Sequence, residues 1–149
     1  MSVKEKLLVS ACLLGMNVKY NGKNNKIDIS KLNEKYELIP FCPEVEGGLS
    51  IPRPPAEIIS KQPLKILTSN GSNVTTEFEK GAKKALDICK KLYIKKALLK
   101  ENSPSCGKNF VYDGSFSKVL RGGQGATASL LSKNSIEIFS ENEIDYLLL

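Results

Sequence analysis

The chain has no histidine among its 149 residues. That absence removes the usual general base near neutral pH. It removes Ser-His-Asp and Cys-His nucleophile systems, and imidazole as a metal ligand. Any catalysis falls to Asp, Glu, Lys, Cys, Ser or Tyr side chains, backbone groups or a bound metal. C-x-x-C pairs are also missing. Cys12, Cys42, Cys89 and Cys106 have 29, 46 and 16 residues between successive members. This spacing matches neither paired zinc motifs nor a dithiol redox site. No apolar run is long enough to span a membrane. Met1 to Lys6 leads straight into a strand-like segment with no signal-peptide cleavage pattern. A cytoplasmic protein is expected, in which structural disulfides are not. Without repeats, low-complexity tracts or an interdomain linker, residues 1–149 are expected to form a single domain with a real core.

The chain is basic, with a formal charge of +6 from 22 basic and 16 acidic residues. Much of the excess lies in Lys80, Lys83, Lys84, Lys90, Lys91, Lys95 and Lys96. Such a run is either a solvated helix face or a surface for an anionic partner. The aromatic residues that nucleic-acid binding would interleave with these lysines are missing.

Apolar and turn patterns alternate along the chain. Lys6–Ser10, Glu37–Phe41, Lys95–Leu99 and Ile136–Phe139 read as strands. Helices are expected near Ile29–Lys35, over Val74–Tyr93, over Gly125–Ser132 and at the C-terminal end. Ala56–Ile59 and Lys65–Thr68 read as a small hairpin, and Tyr112–Ser117 and Arg121–Gly125 as loops. Asn73 and Ser140 are placed to cap helices. The long helix carries Phe78, Ala82, Ala85, Leu86, Cys89, Leu92 and Tyr93 on one stripe of period 3.6. Cys89 therefore reads as a core residue. Alternating strands and helices predict an α/β layer fold with a mainly parallel sheet, in which ligands sit beyond the carboxyl ends of the strands.

Cys12, Cys42 and Cys106 each lie just past such a strand end. Three thiolates on one sheet edge suit a soft metal. Held around a cubane cluster, they would leave one iron open to a substrate sulfur. Three buried but unrelated cysteines would share this sequence pattern. The loop Lys100-Glu101-Asn102-Ser103-Pro104-Ser105-Cys106-Gly107 adds a carboxylate and two hydroxyls, and Glu44 follows Cys42 closely. A carboxylate beside a desolvated metal centre can act as acid or base. Glu44 and Glu101 could equally accept backbone N–H bonds, and Ser103 and Ser105 could shape the turn.

Val9-Ser10-Ala11-Cys12-Leu13-Leu14-Gly15, Cys42-Pro43-Glu44-Val45-Glu46-Gly47-Gly48-Leu49, Pro52-Arg53-Pro54-Pro55-Ala56-Glu57-Ile58 and the Lys100–Gly107 loop together resemble the thiouracil desulfurase family. Val111–Phe116 and Gly122–Leu131 fit as well, so the resemblance covers nearly the whole chain. It implies a Rossmann-like, three-layer α/β fold with a mainly parallel sheet. It implies a [4Fe-4S] cluster on Cys12, Cys42 and Cys106. The activity implied is hydrolytic removal of sulfur from a thiolated nucleobase such as 2-thiouracil, releasing hydrogen sulfide. It also implies a carboxylate and a serine that assist, placed at Glu44 and Ser103, with Glu46 in the same block as the other carboxylate. Lys19-Tyr20-Asn21-Gly22 and Gly125-Ala126-Thr127-Ala128-Ser129 depart from the family pattern and are expected to alter substrate shape rather than cluster binding. The chain is expected to lack the extra C-terminal domain of some relatives. A structural or sensory protein that binds iron or zinc without turnover is the alternative reading of the same thiols. A nucleic-acid-binding module is a third.

Overall fold

The computed structural model describes residues 3–149. β1 (Glu5–Ser10) is followed by a 3-10 turn (Ala11–Leu14), α1 (Ser30–Lys35), β2 (Tyr36–Phe41) and α2 (Pro43–Glu46). A hairpin of β3 (Ala56–Lys61) and β4 (Leu64–Thr68) precedes α3 (Thr75–Leu92) and β5 (Lys96–Leu99). A second hairpin, β6 (Phe110–Tyr112) and β7 (Leu120–Gly122), leads to α4 (Ala126–Lys133) and β8 (Glu137–Ser140). A 3-10 turn (Glu141–Glu143) and α5 (Ile144–Leu147) complete the order.

The central sheet runs β2-β1-β5-β8, and every neighbouring pair in it is parallel. Strand side chains alternate between its faces. Leu8, Ala97, Leu99 and Ile138 pack against Ala85, Leu86 and Cys89 of α3 and Ala128 and Leu131 of α4. Leu7, Val9, Leu98 and Phe139 face Leu13, Leu32, Tyr36 and Leu147 on the other side. The result is three layers, helix–sheet–helix, as expected. β1 has β2 on one side and β5 on the other, so the chain reverses direction across the sheet beside β1. That is where a ligand crevice opens in folds of this class.

Of the two predicted caps, Ser140 caps its helix end, whereas the N-cap position of α3 is Val74, with Asn73 one residue before it. The Asn73 side chain accepts from Thr75 N–H at the start of α3, and Ser140 forms a capping box with Glu143. Two expectations need correction. Tyr93 leaves the apolar stripe, because it ends α3 in the left-handed region (φ 57) and is 87% exposed. The loops expected over Tyr112–Ser117 and Arg121–Gly125 border the paired strands β6 and β7. Three-residue strands are too short to display a period of two.

Gly47 and Gly81 set the position of α2. A Cβ on Gly81 would fall 1.9 Å from the Pro43 carbonyl oxygen, and one on Gly47 would fall 2.0 Å from that of Glu77. The backbones of α2 and α3 therefore touch where any larger residue would hold them apart. This contact places Cys42 and Glu44 at the sheet edge. Among the described residues no helix is long and apolar enough to cross a membrane.

Candidate active site

A cavity of about 550 Å³ opens at the carboxyl ends of β1, β2 and β5. Cys12, Cys42 and Cys106 all line it. Cys12 sits on the 3-10 turn after β1, and Asn25 Nδ2 donates to its Sγ at 3.4 Å. Cys42 is held extended (φ −119, ψ 104) by the following Pro43. Cys106 is only 4% exposed. Burial pushes the thiols of Cys12 and Cys42 upward, and that of Cys106 up to about 12. The hydroxyls of Ser10 and Ser105 oppose the shift at Cys106, while Cys42 and Cys12 lie near enough for their charges to reinforce it. Three thiolates so placed need a cation to neutralise them. No three His, Cys, Asp or Glu side chains among the described residues close around one ion. Iron–sulfur clusters bind each thiolate at a different iron, which spreads the sulfurs. The donor set fits a cluster better than a tetrahedral zinc. Cys89 is buried in the core against α3 neighbours, away from the cavity, with its thiol raised to about 11 by burial.

Glu44 lines the cavity, whereas Glu46 is exposed and outside its lining. Glu44 Oε1 accepts from Arg53 Nε at 3.2 Å, and Oε2 accepts from Ser105 Oγ at 2.9 Å. The Arg53 side chain is only 7% exposed. Its remaining nitrogens donate to the carbonyls of Val18 and Ser50. Arg53 thus ties the loop after Cys12 to the carboxylate after Cys42.

The Lys100–Gly107 loop is fixed from two sides. Glu101 accepts the backbone N–H groups of Asn102, Lys108, Asn109 and Phe110 and the side chain of Asn109. Burial alone would raise its carboxyl. The four backbone bonds outweigh that and hold it below the usual carboxylate range. Glu101 is a loop organiser. On the other side, the first N–H groups of α4 donate to Pro104 and Ser105 carbonyls, which satisfies the open end of that helix. A Cβ on Gly125 would lie 2.5 Å from the Ser105 carbonyl carbon, so the close approach requires glycine there. Ser103 Oγ accepts the N–H groups of Ser105 and Cys106, both at 3.1 Å.

A model of the 2-thiouracil desulfurase family matches residues 7–143. The chain belongs to that family. It is 41% identical over 150 residues to a Bacillus subtilis (strain 168) protein titled "Uncharacterized protein YbbK", an alignment covering 95% of this chain and 99% of that one. Its fold matches a solved structure titled [4Fe-4S]-dependent thiouracil desulfidase TudS, with a TM-score of 0.90 and 44% identity. That match covers 97% of this chain and 95% of the other.

Within this desulfurase-family cavity, two groups escaped sequence reasoning. Arg53 stands in the Pro52–Pro55 stretch, and the only sequence hint was a lone cation in a rigid segment. Ser105 was visible only as a turn former. Tyr20, Tyr112 and Phe116 supply aromatic wall. The Phe116 loop is held by Glu57, which accepts the N–H groups of Gly114 and Phe116. Of the two departures from the family pattern, Lys19 and Tyr20 line the cavity. The Gly125–Ser129 segment instead starts α4 behind the Ser105 loop.

Proposed function

We propose that the chain is an iron–sulfur-dependent desulfurase that hydrolytically removes sulfur from a thiolated nucleobase such as 2-thiouracil, giving the oxo base and hydrogen sulfide. The observation that carries this reading is the meeting of Cys12, Cys42, Cys106, Glu44 and Ser103 in one cavity. Cys12, Cys42 and Cys106 would hold a [4Fe-4S] cluster. When bound, that cluster supplies a soft Lewis-acid position suited to a thiocarbonyl sulfur.

The chain's own residues handle the rest of the chemistry. Tyr20, Tyr112 and Phe116 offer faces for a planar base. Arg53 holds the Glu44 carboxylate toward the cavity and balances its charge. Glu44 takes a proton from water as it attacks the thiocarbonyl carbon and returns one to the departing sulfur. Such proton handling contributes about 10²–10⁴-fold. Ser103 sits beside the reacting centre with its oxygen facing two backbone donors. The overall hydrolysis exchanges sulfur for oxygen without net electron transfer. A small base, rather than a nucleic acid or a membrane, is the partner that a cavity of this size suits.

Anaerobic reconstitution with iron and sulfide tests the reading. Wild-type protein is expected to show iron–sulfur absorbance and to take up about four irons per chain. Cys12→Ala, Cys42→Ala and Cys106→Ala are each expected to lose most of it. Full iron loading in all three variants would overturn the ligand assignment. A loaded protein inert toward several thiolated bases would favour a non-catalytic metal protein.

A further inference from the structure

Cys12 sits on a turn rather than in a strand, and the loop that follows folds back onto it. The Cys12 carbonyl accepts from Gly15 N–H at 3.2 Å and from Asn25 N–H at 2.9 Å. Ile27 N–H donates to the Leu13 carbonyl at 3.0 Å, so residues 25–27 run beside the turn that carries Cys12. Asn24 braces the loop from within: its Oδ1 accepts from Lys26 N–H, and its Nδ2 donates to Asn17 Oδ1. Asn25 therefore reaches Cys12 twice. Its backbone N–H takes the carbonyl, and its side-chain Nδ2 donates to Sγ at 3.4 Å.

Each site thiol has donors of a different kind. Cys42 faces the backbone N–H groups of Val45 and Glu44, and its other neighbour is the Val18 carbonyl oxygen at 4.0 Å, which has no proton to give a thiolate. Cys106 faces the hydroxyls of Ser10 and Ser105. Among the described residues, Asn25 supplies the one side-chain N–H that donates to a site cysteine. Only the nitrogen end of that amide suits a thiolate, because Oδ1 would repel the charge. Asn25 also lines the cavity. Hydrogen bonds to the sulfurs of an iron–sulfur centre favour its more negative state and raise its reduction potential. Partners that orient metal ligands from behind contribute about 10–100-fold in metal affinity.

We infer that Asn25 is a positioning residue, whose amide N–H fixes the Cys12 sulfur for iron and takes up part of its negative charge. The inference rests on the ligand assignment within the desulfurase reading above. The backbone bond to the Cys12 carbonyl keeps the amide in place, so the donor can be removed by substitution without breaking the loop's main-chain contact.

The test uses the full chain, reconstituted anaerobically with iron and sulfide, as wild type, Asn25→Leu, Asn25→Asp and Asn24→Ala. Asn25→Leu keeps the side-chain size without the donor, and Asn25→Asp puts a negative charge in its place. Iron loss to a chelator is expected to be about 10–100-fold faster in Asn25→Leu than in wild type. Its cluster is expected to be about tenfold harder to reduce, a midpoint potential about 59 mV lower in a redox titration, and that of Asn25→Asp lower still. Asn24→Ala touches no cysteine and is expected to match wild type in both measurements. A purely structural role would speed iron loss without ordering the potentials by charge. Equal potentials in all the loaded proteins would overturn the inference, as would a shift in Asn24→Ala as large as that in Asn25→Leu. The desulfurase reading survives either result if wild type releases sulfide from 2-thiouracil. Loaded wild type that releases none sinks the desulfurase reading, while the potentials still decide the role of Asn25. If an Asn25 variant loads no iron, melting of the metal-free protein decides: an unchanged melting temperature sustains the inference, and a lowered one refutes it. A wild type that binds no cluster overturns both.

Discussion

Replacing Gly81 by alanine sets two physical effects against each other. In a helix interior, Gly→Ala ordinarily stabilises by about 1 kcal/mol, because alanine loses less backbone freedom on folding. At Gly81 the added Cβ would lie 1.9 Å from the Pro43 carbonyl oxygen and 2.7 Å from its carbon. To reach ordinary contact, α2 must retreat from α3 by about 1.5 Å. The obstacle is backbone, which cannot rotate away as a side chain would. Overpacking of this kind costs about 1–3 kcal/mol or more. The clash is expected to win, with a net destabilisation of about 2 kcal/mol, or roughly 4–8 °C in melting temperature. The displaced helix follows Cys42 and carries Glu44, so misplacement by this distance is expected to lower activity about 100-fold. Differential scanning calorimetry, iron analysis and sulfide release from 2-thiouracil would be compared across variants. Gly122→Ala is the control, since nothing lies within 4 Å of a Cβ there. A Gly81→Ala protein that melts higher than wild type and keeps its iron and activity would refute the close-packing account of how α2 is positioned.

Glu101→Gln is expected to destabilise by about 1–2 kcal/mol, because several part-buried N–H groups lose a charged acceptor; chemical denaturation checks this. The sign of the pH effect follows from its lowered folded-state carboxyl. The stabilisation is present above the unfolded value of about 4.3, and is lost as pH falls through the folded value, so the gap between wild type and variant should close below about pH 4. Arg53→Lys keeps the charge but not the fork that reaches Glu44, Val18 and Ser50, and should melt several degrees lower with reduced kcat. Phe116→Ala is expected to raise KM for 2-thiouracil by about 5–30-fold with a smaller change in kcat, as loss of about 1–2 kcal/mol of stacking requires. Cys89→Ala should keep full iron content while losing about 1 kcal/mol of core packing, read by iron analysis and thermal melting.

The parts of the fold that repeat regularly were legible in the sequence. Leu7 to Ser10 and Ala97 to Leu99 are buried strands that read as apolar runs. The stripe from Phe78 to Cys89 read as one helix face, and strand-end placement pointed to Cys12, Cys42 and Cys106 sharing one sheet edge, where all three line the cavity. Local irregularity was less legible. Tyr93 fits the helical period but lies past the last turn, where a left-handed residue reverses the chain. The four-residue α2 looked like loop because Pro43 and the glycines after it dominate its composition. Its position comes from Gly47, which meets Glu77 of α3, and from Gly81 of α3, which meets Pro43, contacts between segments far apart in sequence. The links among Arg53, Glu44 and Ser105 were not legible at all. Ser105 and Glu44 are 61 residues apart, and only the parallel order β2-β1-β5 brings them together. Glu101 and Ser103 both read in sequence as loop residues able to accept backbone N–H groups. Both line the cavity; only the folded backbone path shows that the Glu101 carboxylate is taken up by the N–H groups of Asn102, Lys108, Asn109 and Phe110.

The most direct test of the central claim is the stoichiometry of turnover by the anaerobically reconstituted protein given 2-thiouracil. Sulfide, uracil and protein-bound iron would be measured in the same sample, without added reductant. The account predicts one sulfide per uracil, over many turnovers, in proportion to loaded cluster and abolished in Cys106→Ala. Loaded protein that yields no uracil, or that yields it only with an electron donor, would contradict it.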